Sequence, residues 1–355
     1  MTNTDKIRKA LSEKGLDAIL LVSPQNRYYA TGFPSSDGAA LITREQAYFF
    51  TDSRYIEAAG KAITGYALGL VDNQKRTSTW IKELIAKLNI HKLGLEEKYL
   101  TYAEYTDMQR AFAVELVPAS DIPLTLRERK DSWEVESICA AQTIAEKALD
   151  DVLGLIKPGV TEREIAAELT YRMLKYGAEG NSFDPIVVTG ATSSMPHGVP
   201  GDEKIQDGDF ITMDFGCLKN GYCSDMTRTV AVGHVTDEMK KVYDTVLRAQ
   251  LAGIEKAAPG VTGREIDEAA RAVIRDAGYG EYFGHSFGHS LGLDIHEAPN
   301  ASPSCERAMP EGAVISAEPG IYLPGRFGVR IEDMLFLTND GCVNLTKAPK
   351  ELIIL

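Results

Sequence analysis

The sequence predicts an α/β domain over residues 1–125, a short connection at 126–130, and a larger α+β domain over 131–355 built from two related halves. Three observations lead there. At 355 residues the chain exceeds what one ordinary core organises. Its first 125 residues alternate helical and strand patterns. The remainder carries one octapeptide almost twice, "PGVTEREI" at 158–165 and "PGVTGREI" at 259–266.

The elements follow in order. "DKIRKALSEKG" reads as a short helix ended by Gly15, and "DAILLV" as a buried strand. "AALIT" and "AYFFT" read as two further strands separated by the polar "REQ". "TSTWIKELIAKLN" spaces its apolar residues by three and four, the mark of an amphipathic helix. No catalytic constellation stands out in this region. "VPASDIPLTLRERKD", residues 117–131, carries two prolines and then a charge cluster, and reads as a linker.

In each copy of the repeat, Pro-Gly breaks the preceding helix. Thr161 with Glu164, and Thr262 with Glu265, then fit capping boxes that start the next one. A long helical pattern precedes each copy and strand patterns follow it. The copies are offset by 101 residues, too long for a solenoid repeat, so a duplicated half-domain with a pseudo-twofold axis is expected.

Composition narrows the function classes. A net charge of −13 repels phosphate backbones, which argues against nucleic acid as a partner. Five scattered cysteines form no CxxC pair, as expected of reduced thiols in a cytoplasmic protein. The apolar run near the N-terminus is too short for a signal core, and no stretch suits a membrane span.

The chemistry concentrates in "FITMDFGCLKNGYCSDMTRTV", residues 210–230. Asn220-Gly221 marks a tight hairpin turn. That register sets Asp214 opposite Thr227, with Asp225 inside the returning strand and on the same face as Asp214. Diagonal neighbours of this kind lie about 7–8 Å apart. Two such carboxylates repel and are costly to bury unless a cation lies between them. The second half repeats the arrangement: Glu318 in "ISAEPGIY" follows Asp214 by 104 residues, and Glu332 in "VRIEDM" follows Asp225 by 107.

Histidine completes the set. Of six in the chain, His285, His289 and His296 crowd into "GHSFGHSLGLDIHEAP", and His197 lies in "SSMPHGVP". His91 and His234 have no such company and read as surface residues. Four carboxylates with an imidazole make an oxygen-rich site, suited to Mn²⁺, or to Co²⁺, Fe²⁺ or Zn²⁺. Two ions sharing bridging carboxylates balance the charge better than one.

The set Asp214, Asp225, His289, Glu318 and Glu332, with its surrounding motifs "GHSLGLDIHE", "AEPGIY" and "VRIEDM", resembles the ligand set of the pita-bread metallopeptidases. The resemblance spans the chain: residues 1–125 are similar to the N-terminal domain of the creatinase and prolidase branch, and 131–355 to the pita-bread catalytic domain. That branch implies hydrolysis of the bond between an N-terminal residue and a following proline, by an aminopeptidase or a dipeptidase. It implies Asp214 on one metal, Asp225 and Glu332 bridging, and His289 and Glu318 on the other. It implies Glu318 as a proton carrier, and His197 and His296 as groups that stabilise the oxyanion and orient the peptide. His285 is expected to line the proline pocket. Arg330, two positions before Glu332, is expected to tether a ligand carboxylate from behind. A proline-containing peptide as substrate and a homodimer are further expectations. The alternative is a pita-bread protein without metal chemistry, either a binding module or a creatinase-like hydrolase, but such relatives typically lack part of the ligand set.

Overall fold

The first helix starts at Thr2, whose hydroxyl accepts from the Asp5 amide while the Asp5 carboxylate takes the Thr2 amide. In the computed structural model, which describes all 355 residues, this helix belongs to one of two units, Met1–Arg127 and Glu128–Leu355.

The N-terminal unit contains helices α1 (Asn3–Glu13), α2 (Pro24–Thr31), α3 (Ile56–Ala62), α4 (Thr77–Leu88), α5 (Tyr102–Ala111) and α6 (Asp121–Arg127). Its strands are β1 (Ala18–Leu21), β2 (Ala39–Thr43), β3 (Ala47–Thr51), β4 (Ala67–Leu70), β5 (Lys92–Leu95) and β6 (Glu115–Pro118). They form one mixed sheet in the order β4-β3-β2-β1-β5-β6. The central strand β1 is buried at every position, which is why it reads as an unbroken apolar run. Leu20, Leu41, Phe50, Ile81, Leu84 and Leu93 are among the side chains that fill one core. The buried acid here, Glu96, accepts from the Val22 amide, the Ser23 amide (2.9 Å) and hydroxyl (2.6 Å), and Asn26 Nδ2 (2.6 Å).

The stretch 117–131 corrects the linker reading over 117–127 and leaves 128–131 as the connection. It completes β6, forms α6 and leads to the next helix. Pro118 ends an edge strand, where its missing N–H is harmless, and Pro123 falls in the first turn of α6, where proline is tolerated.

The second unit opens with α7 (Ser132–Leu153) and α8 (Glu162–Lys175), then β7 (Gly180–Asn181), β8 (Ile186–Thr189), β9 (Phe210–Phe215), β10 (Cys217–Lys219), β11 (Tyr222–Cys223) and β12 (Met226–Ala231). The second half gives α9 (Asp237–Lys256) and α10 (Gly263–Asp276). Its strands are β13 (Gly288–Ser290), β14 (Glu297–Ala301), β15 (Val314–Ala317), β16 (Gly320–Leu323), β17 (Phe327–Arg330), β18 (Asp333–Thr338) and β19 (Gly341–Asn344). One sheet runs β12-β9-β8 and another β14-β13-β15-β18-β19. The run β8, β9, β12 thus matches β13, β15, β18 in order and antiparallel pairing.

Both repeats form their capping boxes with nearly the same geometry. Thr161 Oγ accepts from the Glu164 amide at 3.2 Å, and Thr262 Oγ from the Glu265 amide at 3.2 Å. The returning glutamates take the threonine amides at 2.8 and 2.9 Å. Each helix pair covers one sheet: Leu149, Ile165, Leu169, Ile211 and Met213 lie in one core, and Val246, Ile266, Ile274, Ile315 and Leu335 in the other.

The hairpin register is the expected one. Asn220 (φ 50°) and Gly221 (φ 73°) turn the chain, Lys219 pairs with Tyr222, and Thr227 pairs with Asp214. One detail differs: Asp225 lies in the break between β11 and β12, not within a strand. A Cβ on Gly216 would come within 1.9 Å of the Ser224 carbonyl, so the two backbones press together there and the ladder is interrupted.

Candidate metal centre

The two hairpins bring their carboxylates to one place. Asp214 comes from β9 and Asp225 from just before β12. Glu318 lies one residue past β15, and Glu332 lies between β17 and β18. Ala317 pairs with Asp333 and Gly320 with Arg330, so the register sets Glu318 across from Glu332. Thr227 joins the halves: its carbonyl accepts from the Glu332 amide at 3.1 Å, and its hydroxyl donates to Glu332 Oε2 at 2.7 Å.

His289 enters from β13. Its backbone amide donates to Ser316 Oγ (3.0 Å), which donates onward to Glu318 Oε1 (3.1 Å). The close approach needs Gly288, where a Cβ would meet the Ser316 carbonyl at 2.0 Å. His289 Nδ1 lies 3.2 Å from the Ser290 carbonyl, which can only accept, so Nδ1 holds the proton and Nε2 presents a lone pair. That lone pair is 3.3 Å from Glu318 Oε1 and 3.6 Å from Asp225 Oδ2. One ligand atom from each of Asp225, His289 and Glu332 lies within 4.8 Å of the others.

The cluster therefore turns acceptors toward acceptors. Asp214 Oδ1 and Glu332 Oε1 are buried with no hydrogen-bond partner. Burial, together with the charges of Asp214 and Glu318, holds the Asp225 carboxyl well above its usual range. Burial and the charge of Asp225 do the same to Glu332. Burial pushes Glu318 up to about 7. His289 is shifted down, chiefly by burial, which favours the neutral ring that a metal needs. Each of these tensions is relieved by a divalent cation, and the oxygen-rich donor set with one imidazole fits one.

Arg330 is buried behind the carboxylates. Its guanidinium donates to Asp214 Oδ2 (2.7 Å), Thr227 Oγ (3.1 Å) and the Tyr322 hydroxyl (2.8 Å). It thus reaches across to the first half's carboxylate while sitting two residues from the second half's. The Tyr322 hydroxyl lies 2.8 Å from His285 Nε2, and His285 Nδ1 lies 2.9 Å from the Ser286 carbonyl. Nδ1 therefore carries the proton, and Tyr322 donates to Nε2. Burial pushes His285 down to about 4, so its ring is neutral near pH 7.

All these groups except Thr227, Ser316 and Tyr322 line one cavity of about 420 Å³, together with His197, His296, Phe183, Asp184, Ile186 and Ile295. The His296 ring meets His289 edge-on, with centroids 4.4 Å apart. The structure thus brings together every site residue read from the sequence, and leaves His91 and His234 exposed elsewhere. Sequence reasoning missed Tyr322, Thr227 and Ser316, which act through neighbours. Ser316 had a visible signal, lying two residues before Glu318 on an alternating strand.

The sequence matches metallopeptidase family M24 over residues 136–339, and the creatinase/prolidase N-terminal domain over 4–129. The chain belongs to metallopeptidase family M24. Among solved structures, the M24 chain is similar to an Xaa-Pro dipeptidase from Bacillus anthracis, at 42% identity over 99% of each chain with a TM-score of 0.96. It is also similar to an X-Pro aminopeptidase from Thermotoga maritima, at 38% identity over 97% of this chain and 99% of that one, with a TM-score of 0.92. The Xaa-Pro dipeptidase of Pyrococcus horikoshii is 38% identical over 98% of this chain and 97% of its own length. The M24 protein is accordingly an enzyme that hydrolyses peptides, with the expected creatinase-type N-terminal domain and pita-bread catalytic domain. No helix is long and apolar enough to cross a membrane.

Proposed function

We propose that this enzyme hydrolyses the bond between an N-terminal residue and a following proline, using two divalent cations, Mn²⁺ first among them. The observation that carries this reading is the acceptor-only cluster on the wall of a cavity that also presents His197, His285 and His296. The relatives named as Xaa-Pro dipeptidase and X-Pro aminopeptidase support it.

Asp214, Asp225, His289, Glu318 and Glu332 would hold the ions. When bound, such ions polarise a carbonyl and make water nucleophilic at neutral pH. Arg330 holds Asp214 in place through an ion pair, and Thr227 orients Glu332 through its hydroxyl. Glu318 takes the proton released by the attacking water and delivers it to the leaving proline nitrogen. His197 and His296, both exposed at the cavity, donate to the oxyanion and orient the peptide. His285, held by Tyr322, forms a neutral wall for the proline ring. Proline needs such a site because its bond lacks an N–H on the leaving side and its φ is fixed. By the same resemblance the enzyme works as a homodimer.

The test is a hydrolysis assay on metal-stripped protein with Mn²⁺, Co²⁺ or Zn²⁺ restored, against an Xaa-Pro dipeptide, an Xaa-Pro-Xaa tripeptide and a Met-Ala-Xaa control. Metal-dependent cleavage confined to the proline substrates supports the reading, and the preferred length separates dipeptidase from aminopeptidase. Cleavage of the control alone overturns it.

A further inference from the structure

One carboxylate in the cavity has no part in the metal cluster. Asp184 lines the same space as Phe183 and Ile186, is exposed, and makes no hydrogen bond or ion pair within the chain. The other four cavity carboxylates are committed. Asp214 faces Arg330, and Asp225, Glu318 and Glu332 surround His289 or lie against Thr227. Register places Ile186 directly opposite Asp214 across β8 and β9, and Asp184 lies two residues before Ile186, just outside the strand, which bounds its separation along the chain. Two residues of chain reach at most about 7 Å. A group bound at the cluster thus has the apolar Ile186 and Phe183 beside it, and a free carboxylate about one long side chain away.

We propose that Asp184 selects a basic side chain on the N-terminal residue of the peptide, lysine or arginine before proline. This inference rests on the Xaa-Pro reading. The proline position carries no charge, so the free carboxylate discriminates through a variable residue. Lysine offers a four-carbon stem to lie along Ile186 and Phe183, and an ammonium to meet Asp184. The contact is solvent-accessible, so its effect is modest and weakens with salt.

The experiment measures kcat/KM of the metal-loaded enzyme on Lys-Pro-Ala, norleucine-Pro-Ala and Glu-Pro-Ala, for wild type, Asp184→Asn and Asp184→Lys. Norleucine keeps the lysine stem and omits the charge. Wild type is expected to favour lysine over norleucine about fivefold, with the preference fading toward about 0.5 M salt. In Asp184→Asn the ratio should fall to near one, and in Asp184→Lys the glutamate peptide should become the better substrate. No lysine preference in wild type, or one that survives Asp184→Asn, overturns the proposal. So does an equal loss on all three peptides, which assigns Asp184 to the α-ammonium instead. A preference seen only for Ala-Pro-Lys overturns it too, by moving the subsite beyond the proline. If wild type cleaves only dipeptides, the same ratios are read on Lys-Pro, norleucine-Pro and Glu-Pro; if it leaves both norleucine-Pro-Ala and norleucine-Pro intact, the Xaa-Pro reading itself fails and this inference falls with it.

Discussion

Glu96 in the N-terminal unit and Glu332 in the C-terminal unit are both glutamates with only 1% of their surface exposed, yet they do opposite things. Glu96 is surrounded by donors and anchors the start of α2. Glu332 leaves one oxygen with no partner and faces other acids. The contrast recurs within two adjacent residues. Asp333 is met by Arg228, Lys350, Gln250 and Asn344, and although burial opposes its ionisation, the two cations hold its carboxyl below the usual range. Glu332, one position earlier, is driven up. A buried carboxylate therefore says little about metal chemistry. A buried carboxylate that the protein declines to satisfy says a great deal.

The largest effect that could break this contrast is loss of the ligand charges. Asp225→Asn or Glu332→Gln should lower activity by about a thousandfold or more and remove metal, while the metal-free protein melts at a higher temperature than metal-free wild type. Elemental analysis and calorimetry on the same samples check this, and wild-type rates in either variant would refute the dinuclear assignment. Glu96→Ala should do the reverse. It should cost about 3 kcal/mol by leaving buried donors unpaired, with metal content per folded molecule unchanged. The smallest effect concerns the repeat. Thr161→Ala and Thr262→Ala should each cost about 1 kcal/mol, equal within error, because their boxes share one geometry. Denaturant titration of the two variants measures that equality, and a large difference would mean that one box carries further contacts.

Much of this was legible in the chain. Asn220-Gly221 fixes the hairpin register, and the two octapeptides announce the pseudo-twofold, so Asp214, Asp225, Glu318 and Glu332 pair from the sequence alone. The crowding of His285, His289 and His296 was equally visible. Other features were hidden because they depend on contacts across the duplication. Thr227 touches Glu332 at a separation of 105 residues, and no local pattern marks it. Tyr322 reads as an ordinary strand aromatic until Arg330 and His285 are seen on its hydroxyl. The break before β12 follows from Gly216 meeting Ser224, a steric fact with no periodicity. The misread linker shows the converse: Pro118 and Pro123 suggested a coil, but each occupies one of the few positions where strand and helix admit proline.

The closure at Thr227 has a consequence for the life of the protein. It pins the two halves together beside the acid cluster, where like charges push apart. A divalent ion bound there would hold the two halves together. At a free concentration one hundredfold above its dissociation constant, one ion adds about 2.7 kcal/mol to the folded state. A cell short of metal should therefore hold fewer copies of this chain as well as idle ones, because the empty form opens more often and meets proteases sooner.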